Sequence, residues 1–316
     1  MNVKGLELAK AYWRAYGEEM LNRDFPALAG KVAVGLCGSG SECLGYDDAC
    51  SADHDFEPGF CVFLPGEEVI SRQEAFQLER AYAKLPKEFM GYSREKQSPV
   101  GGSRHGVIRL SDFLTEKTGT PDGHLSTARW LSVPEQNLLE AVNGEIWRDD
   151  SDLFTSLRRE LAFLPEDIRL RKLSGELLLM NQSGQYNYRR CLNHGESGAA
   201  MLAAGEFVRA AIHVLLLMDG KYMPYYKWAF RALRSGGEKR AAQAARLEEV
   251  LRGGTGEEEA LDREIGMADL CQEVAEELQD RGWTEASCCD LEQHAYSVAD
   301  HIADGDIRNM HILAGV

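Results

Sequence analysis

The stretch GLCGSGSECLGYDDACSADHDFEPGF, residues 35–60, carries a doubled Gly-Ser pair at 38–41 and, further on, two aspartates separated by one residue. A hydrophobic run, KVAVGLC (31–37), leads into the Gly-Ser pairs, and a second run, PGFCVFLP (58–65), follows the aspartates. Both runs are short, apolar and bounded by glycine or proline, which predicts two buried strands. The order of the stretch is therefore strand, turn, acidic segment and strand.

The Gly-Ser pairs have a physical use at the end of a strand. Gly38 and Gly40 let the backbone approach a phosphate closely, and Ser39 or Ser41 supplies a hydroxyl donor. A helix that starts after the turn adds unpaired N–H groups and a favourable dipole. The turn is therefore predicted to bind phosphate, and a flexible turn without a ligand is the alternative.

The two aspartates, Asp53 and Asp55, fall on one face of an extended chain, with His54 facing away, because side chains alternate along a strand. Neighbouring carboxylates repel each other, and a divalent cation relieves that repulsion. Mg²⁺ prefers one or two carboxylates together with phosphate oxygens. The turn and the aspartates together predict a site for a nucleoside triphosphate bound with Mg²⁺ or Mn²⁺, and a solvated acidic loop is the alternative.

The segment VGLCGSGSECLGYDDACSADHDF resembles the signature of the nucleotidyltransferase superfamily, which includes DNA polymerase β and the antibiotic nucleotidyltransferases. That signature is a hydrophobic residue, Gly, Gly or Ser, a gap and then Asp-x-Asp. Eleven residues separate Ser41 from Asp53 and thirteen separate Ser39 from Asp53, and either spacing fits. Longer stretches also resemble an uncharacterised bacterial family that joins this fold to a helical C-terminal region: GSGSECLGYDD, SADHDFEPGF, GQYNYRRCLNHGESGAA and GKYMPYYKWAFRAL.

The resemblance implies a two-metal transfer of a nucleotidyl group, in which Asp53 and Asp55 hold Mg²⁺ and the turn grips the triphosphate. The superfamily usually has a third carboxylate on a later strand. The candidate here is Asp112, which follows the predicted strand GVIRL (106–110) and so lies at the end of that strand. The alternative for Asp112 is the N-cap of a helix over FLTEKT.

The chain divides into a mixed half and a helical half. Ser71 with Glu74 forms a capping-box signature before the predicted helix RQEAFQLERAYAKL. From about residue 125 onward strand patterns are absent and helical patterns follow one another. The predicted class is α+β, with a nucleotidyltransferase-like domain over 1–150 and a helical domain over 151–316.

The helical half contributes further candidates for the same site. Glu196 precedes an apolar helix and is a candidate general base for an acceptor hydroxyl; a first-turn residue that complements the helix dipole is its alternative. In GKYMPYYKW, Lys221 and Lys227 are candidates for contacting triphosphate oxygens. Tyr225 or Tyr226 is a candidate for stacking on a base. A packing role for this aromatic segment is equally open.

The charge balance restricts the partners. The chain has 35 Lys and Arg against 51 Asp and Glu, a net charge of −16, which repels a nucleic-acid backbone. The most apolar run, FVRAAIHVLLLM, contains an arginine and a histidine and is too short to span a bilayer, so it is predicted to be a buried helix. We therefore expect no long nucleic acid and no membrane as partner, and a cytoplasmic location.

The eight cysteines show no CxxC spacing. Cys43, Cys50 and Cys61 with His54 form a candidate zinc site. Reduced thiols that pack as small hydrophobic side chains are the favoured interpretation.

The sequence predicts a metal-dependent enzyme that moves a nucleoside monophosphate from an NTP to a hydroxyl of a small molecule or a protein. The alternative is a nucleotide-binding regulatory protein, similar to a toxin–antitoxin partner, with little or no turnover. The intact Asp-x-Asp pattern favours catalysis. Neither the acceptor nor the preferred NTP follows from these residues.

Overall fold

The computed structural model describes residues 3–48, 57–94, 105–252 and 256–316. The chain forms two compact units, one of Met1–Leu125 with Val133–Ala162 and one of Ser126–Ser132 with Phe163–Val316. The first unit mixes strands and helices, whereas the described residues of the second are helical outside their turns and loops. The predicted α+β class, with a small mixed sheet and a helical C-terminal part, is confirmed.

After its N-terminal helices, the first unit has the predicted order of strand, strand and helix before a further strand. Its elements are α1 (Gly5–Tyr12), a π-helical turn (Trp13–Gly17), α2 (Glu18–Asp24), α3 (Pro26–Ala29), β1 (Ala33–Leu36), β2 (Cys61–Leu64), α4 (Arg72–Ala83), β3 (Glu88–Phe89), β4 (Tyr92–Ser93), β5 (Gly106–Arg109), α5 (Leu110–Thr118), α7 (Glu135–Val142), β6 (Glu145–Asp149) and α8 (Thr155–Glu160). The three predicted strands are confirmed as β1, β2 and β5, and the helix after the capping box is confirmed as α4.

Among the described residues, four strands form one mixed sheet in the order β5-β2-β1-β6, and β3 pairs with β4 in a separate hairpin. β1 runs antiparallel to both β2 and β6, whereas β2 and β5 run parallel. The end of β1 therefore lies at the same edge of the sheet as the beginnings of β2, β5 and β6.

Both faces of this sheet are covered, as expected for short strands that are apolar on both sides. Val62 and its neighbours on one face are buried with residues of the N-terminal helices and α4. Phe63 faces the other way, and its ring lies 5.2 Å from Phe113 of α5 and 5.0 Å from Phe154, between ring centroids. The sheet is thereby fixed between two helical layers.

The expectation that strands end near residue 125 is wrong, because β6 (Glu145–Asp149) pairs with β1. Its residues, EIWRD, are exposed or half-buried, so β6 lacks the apolar run that marks a buried strand. After β6, the Asp149 carboxylate accepts backbone N–H groups of Leu153, Phe154 and Thr155. These bonds hold the following segment against the sheet, and the first unit extends to Ala162.

The second unit is built from helices of unequal length. They are α6 (Thr127–Ser132), α9 (Glu166–Met180), a π-helical segment (Asn181–Asn187), α10 (Tyr188–Asn193), α11 (Ser197–Met218), α12 (Tyr226–Arg234), α13 (Glu238–Leu251), α14 (Glu257–Asp280), α15 (Leu291–Asp300) and α16 (Gly305–Arg308). α11 is long and apolar enough to cross a membrane, but 67% of its most apolar 18-residue stretch is buried inside the protein. It is a core helix, as the sequence predicts.

Candidate functional site

The candidate site lies at the edge of the sheet where β1 ends. In the strand register, Gly35 of β1 pairs with Cys61, the first residue of β2, and Cys61 pairs with Gly106, the first residue of β5. On the other side, Leu36 pairs with Glu145, the first residue of β6. The Gly-Ser turn that follows β1 therefore shares this edge with the segments entering three strands.

The Gly-Ser turn adopts a backbone that needs glycine at two positions. Gly38 has φ +111° and Gly40 has φ +134°, conformations that other L-residues rarely adopt. Asn143 clamps Gly38 from the end of α7: its Oδ1 accepts the Gly38 N–H at 2.8 Å and its Nδ2 donates to the Gly38 carbonyl at 2.8 Å. The clamp satisfies both backbone groups of a buried residue and fixes where the turn begins.

The rest of the turn presents backbone N–H donors. The backbone N–H groups of Ser39, Gly40 and Ser41 donate to no atom of the described residues, and these three residues are exposed or half-buried. Consecutive backbone N–H groups in a turn are able to form a concave site for an anion when they point to the same side. The turn therefore has the donors that a phosphate requires.

A helix was expected directly after the turn, but the described residues 41–48 contain none, so this expectation is wrong. Residues 41–45 form a single hydrogen-bonded turn instead, in which the Leu44 and Tyr46 N–H groups donate to the Ser41 carbonyl at 3.2 and 2.8 Å. The chain then reaches Asp47, whose Oδ2 accepts the Gly5 N–H at the start of α1 at 2.9 Å. The turn is thus anchored at both ends, by Asn143 and by α1.

Three side chains meet at Ser39. Its Oγ donates to Glu140 Oε2 of α7 at 2.8 Å, and Lys117 Nζ of α5 lies 2.7 Å from the same carboxylate oxygen and 3.3 Å from Ser39 Oγ. Lys117 is buried, and Glu116 supplies it with a second carboxylate at 2.7 Å. Burial alone lowers the pKa of Lys117, but hydrogen bonds and charge from Glu116 and Glu140 outweigh burial and leave that pKa raised. A buried ammonium group therefore lies directly beside the turn.

Sequence reasoning missed Lys117, Glu140 and Asn143. The available signal was the position of Lys117 on the apolar face of α5, four residues after Phe113 and three after Leu114, both buried. A lysine at such a position needs an anionic partner. Glu140 and Asn143 carry no comparable signal, because each is an ordinary polar residue near the end of a short helix.

Another contact joins two of the segments that enter the sheet at this edge. Glu57 Oε1 lies 3.2 Å from Nδ1 of His105, which immediately precedes β5 and is buried. Glu57 follows Asp55 by two positions in the chain and precedes β2. The entry to β2 is thereby tied to the entry to β5.

The predicted metal ligands Asp53 and Asp55 lie outside the described residues. Within those residues, no group of three or more His, Cys, Asp or Glu side chains is arranged to hold a metal ion. The donor set of the predicted ligands, two carboxylates one residue apart, suits a hard cation such as Mg²⁺. The metal assignment therefore stays a prediction that rests on the type of donor.

Asp112 lies in the first turn of α5, beyond the end of β5. It is exposed and makes no hydrogen bond or ion pair with a described residue, so neither kind of bond links it to the described part of the turn. α5 begins at Leu110 with Arg109 in the capping position, which means that the alternative of an N-cap role for Asp112 is wrong. Its role as third carboxylate stays a prediction.

The predicted residues of the helical half lie in the second unit. Glu196 is exposed and occupies the N-cap position of α11 without a capping hydrogen bond from its side chain. Tyr226, at the start of α12, is 72% exposed, and its ring centroid lies 4.4 Å from that of Tyr225. Lys227 is exposed with its Nζ 5.1 Å from the ring centroid of Trp228, and Lys221 is half-buried.

The described cysteines near the turn are buried. Burial raises the pKa of the Cys37 thiol to about 12 and raises that of Cys61 well above its ordinary value. Cys43 is also buried, whereas Cys50 and His54 of the candidate zinc site lie outside the described residues. Protonated, buried thiols agree with the packing interpretation.

Comparison with known proteins identifies one family model and one solved structure with similarity to this chain. The model, described as a domain of unknown function (DUF4037), matches residues 130–229, which include Glu140 and Asn143. No curated protein matches the chain. The crystal structure of a nucleotidyltransferase-like protein from Exiguobacterium sibiricum 255-15 is 13% identical with a TM-score of 0.39, over 90% of each chain.

Proposed function

We propose that this protein is a metal-dependent nucleotidyltransferase that moves the NMP group of an NTP to a hydroxyl of a small molecule or a protein and releases pyrophosphate. The observation that supports the proposal best is the run of backbone N–H groups at Ser39, Gly40 and Ser41, which donate to no atom of the described residues. These donors lie where β1 ends beside the start of β2, the strand that follows Asp53 and Asp55 in the chain.

The turn is proposed to bind the phosphates. The Gly38 N–H already donates to Asn143, so the donors left for phosphate begin at Ser39. Ser41 Oγ makes no hydrogen bond with a described residue and adds a hydroxyl donor, whereas Ser39 Oγ donates to Glu140. A preorganised set of donors stabilises the negative charge of a phosphoryl group without reorganisation during the reaction.

In the proposed reaction, the acceptor oxygen forms a bond to the α-phosphorus, and the bond from that phosphorus to the bridging oxygen of pyrophosphate breaks. The proton of the acceptor hydroxyl passes to a general base, for which we propose Glu196. Asp53 and Asp55 would hold Mg²⁺ or Mn²⁺, which when bound neutralises triphosphate charge and makes the hydroxyl more acidic.

Lys221, Tyr226 and Lys227 stay proposed as nucleotide contacts. The exposure of Tyr226 and Lys227 supports this role, because an aromatic face and an ammonium group are both available to a ligand. Asp112 remains the proposed third carboxylate.

Nucleotide binding and turnover test the proposal separately. Binding of ATP, GTP, CTP and UTP is measured by calorimetry with and without Mg²⁺, and transfer is followed as pyrophosphate release and label incorporation in fractionated cell extract. The variant D53N/D55N is expected to lose Mg²⁺-dependent NTP binding and all transfer. The matched control is D262N/D269N, which removes two exposed aspartates of α14 with the same change in charge.

Two outcomes contradict the enzyme assignment. Failure of every NTP to bind the wild-type protein removes the proposal altogether. Tight Mg²⁺-dependent binding without transfer to any acceptor pool identifies the protein as a nucleotide-binding regulator instead. Unchanged binding by D53N/D55N excludes the two aspartates as metal ligands.

A further inference from the structure

We propose that Ser39 and Lys117 form an anion-binding position that the Glu140 carboxylate occupies in the free protein, and that a phosphate of the nucleotide displaces Glu140 from it. The inference rests on the proposed function of the turn, and it adds a cationic ligand and an internal competitor to that function. Neither Lys117 nor Glu140 belongs to the Gly-Ser or Asp-x-Asp pattern.

The first support is the convergence of two donors on one oxygen. Glu140 Oε2 lies 2.8 Å from Ser39 Oγ and 2.7 Å from Lys117 Nζ, and these two donor atoms lie 3.3 Å apart. A hydroxyl and an ammonium group that share one anionic oxygen are equally suited to a phosphate oxygen. The carboxylate thus marks a position for an anion on Ser39, the first of the three residues whose N–H groups donate to no described atom.

The second support is the difference in burial among the three side chains. Lys117 has 7% of its side chain exposed, so its charge requires an anion in every state of the protein. Glu140 is 25% exposed on a flexible side chain, and Ser39 is exposed. The Lys117 side chain is therefore held in place, whereas the Glu140 carboxylate is able to turn toward solvent when another anion takes its place.

The third support is that the end of α7 bonds to two neighbouring residues of the turn, Gly38 through Asn143 and Ser39 through Glu140. Asn143, one helical turn after Glu140, clamps Gly38, and Arg158 Nη2 donates to the carbonyls of Val142 and Asn143 at 2.7 and 2.6 Å. The end of α7 is thus held in place without help from Glu140. Releasing the Glu140 carboxylate leaves the clamp on Gly38 intact.

The inference predicts effects of opposite sign for the two partners. Replacing Glu140 with glutamine removes the competing charge, so binding of Mg-NTP and of inorganic tripolyphosphate is expected to tighten roughly tenfold. Replacing Lys117 with methionine removes the cation, so binding of both probes is expected to weaken roughly tenfold or more. The K117R variant keeps the charge and is expected to recover much of the affinity.

The matched control is E116Q. Glu116 also lies 2.7 Å from Lys117 Nζ and the substitution changes the charge equally, but Glu116 is 70% exposed, and the hydrogen bonds of Ser39 Oγ go to Glu140 and Lys117. Its effect on tripolyphosphate binding is expected to be less than threefold. Calorimetry measures the dissociation constants, and far-ultraviolet circular dichroism confirms that each variant is folded.

The results separate this inference from the function on which it rests. If Mg-NTP binds and depends on Asp53 and Asp55, but E140Q binds no tighter than E116Q, the competitor role is refuted and the nucleotidyltransferase proposal stands. A loss of affinity in E140Q equal to that in K117M identifies the pair as a structural brace and also refutes it. If neither NTP nor tripolyphosphate binds the wild-type protein or E140Q, both proposals fail.

Discussion

Replacing Asn143 with alanine tests whether the clamp on Gly38 organises the turn. The substitution removes two hydrogen bonds of 2.8 Å, one to the Gly38 N–H and one from its carbonyl, and Gly38 is buried. Leaving a buried backbone group without its partner costs about 1–3 kcal/mol. Because water reaches the neighbouring Ser39, we expect a loss of about 2–4 kcal/mol in the free energy of unfolding of the first unit.

The same substitution is expected to weaken phosphate binding. Without the clamp, the backbone at Gly38 samples more conformations, and the N–H groups of Ser39 to Ser41 must be ordered when the ligand binds. Tripolyphosphate binding by N143A is therefore expected to weaken roughly tenfold. The N143D variant keeps an acceptor for the Gly38 N–H but turns an oxygen toward the Gly38 carbonyl, so it is expected to be no more stable than N143A.

Urea denaturation, followed by tryptophan fluorescence, measures the stability change, and calorimetry measures tripolyphosphate binding. The control is N137A on the same helix, because the Asn137 side chain makes no hydrogen bond with a described residue. A denaturation midpoint and a dissociation constant for N143A that equal those of N137A would refute the reasoning.

Two further predictions concern stability. The Ser71 side chain accepts the Glu74 N–H at 3.3 Å, and the Glu74 carboxylate accepts the Ser71 N–H at 2.8 Å. In urea denaturation, S71A is therefore expected to lower the free energy of unfolding by about 1 kcal/mol and S71G by only a few tenths of a kcal/mol. Equal losses in both variants would contradict the capping role of Ser71. Burial raises the pKa of Glu277, but hydrogen bonds and charge from Arg240 and Lys239 outweigh it and lower that pKa from 4.5 to about 2. The unfolded chain then binds more protons over this interval, so the stabilisation present above pH 4.5 is expected to be lost as the pH falls toward 2. In thermal melts, R240M is expected to lose less stability than the wild-type protein as the pH falls from 4.5 toward 2. An equal loss in both proteins would exclude the Arg240–Glu277 pair as its source.

Local patterns in the sequence predicted those elements whose cause is itself local. The capping box at Ser71 starts α4 because its two hydrogen bonds join residues three positions apart. β1 and β2 are recognisable because both are buried throughout and therefore apolar throughout. β6 was not predicted, because its residues are partly exposed and lack an apolar pattern. Its strand conformation depends on pairing with β1, which lies more than one hundred residues earlier in the chain.

The candidate site divides in the same way. The two glycines of the turn predict a backbone with positive φ, because that conformation depends on the single residue. The aspartate pair predicts a metal site through its spacing of two positions. The partners of the turn are distant in sequence: Lys117 lies 78 positions from Ser39, Glu140 lies 101 positions from it, and Asn143 lies 105 positions from Gly38. Their meeting depends on the order of strands in the sheet and on the packing of α5 and α7. Sequence periodicity reports burial and local conformation, and the folded sheet alone brings an ammonium group, a carboxylate and an amide to one turn.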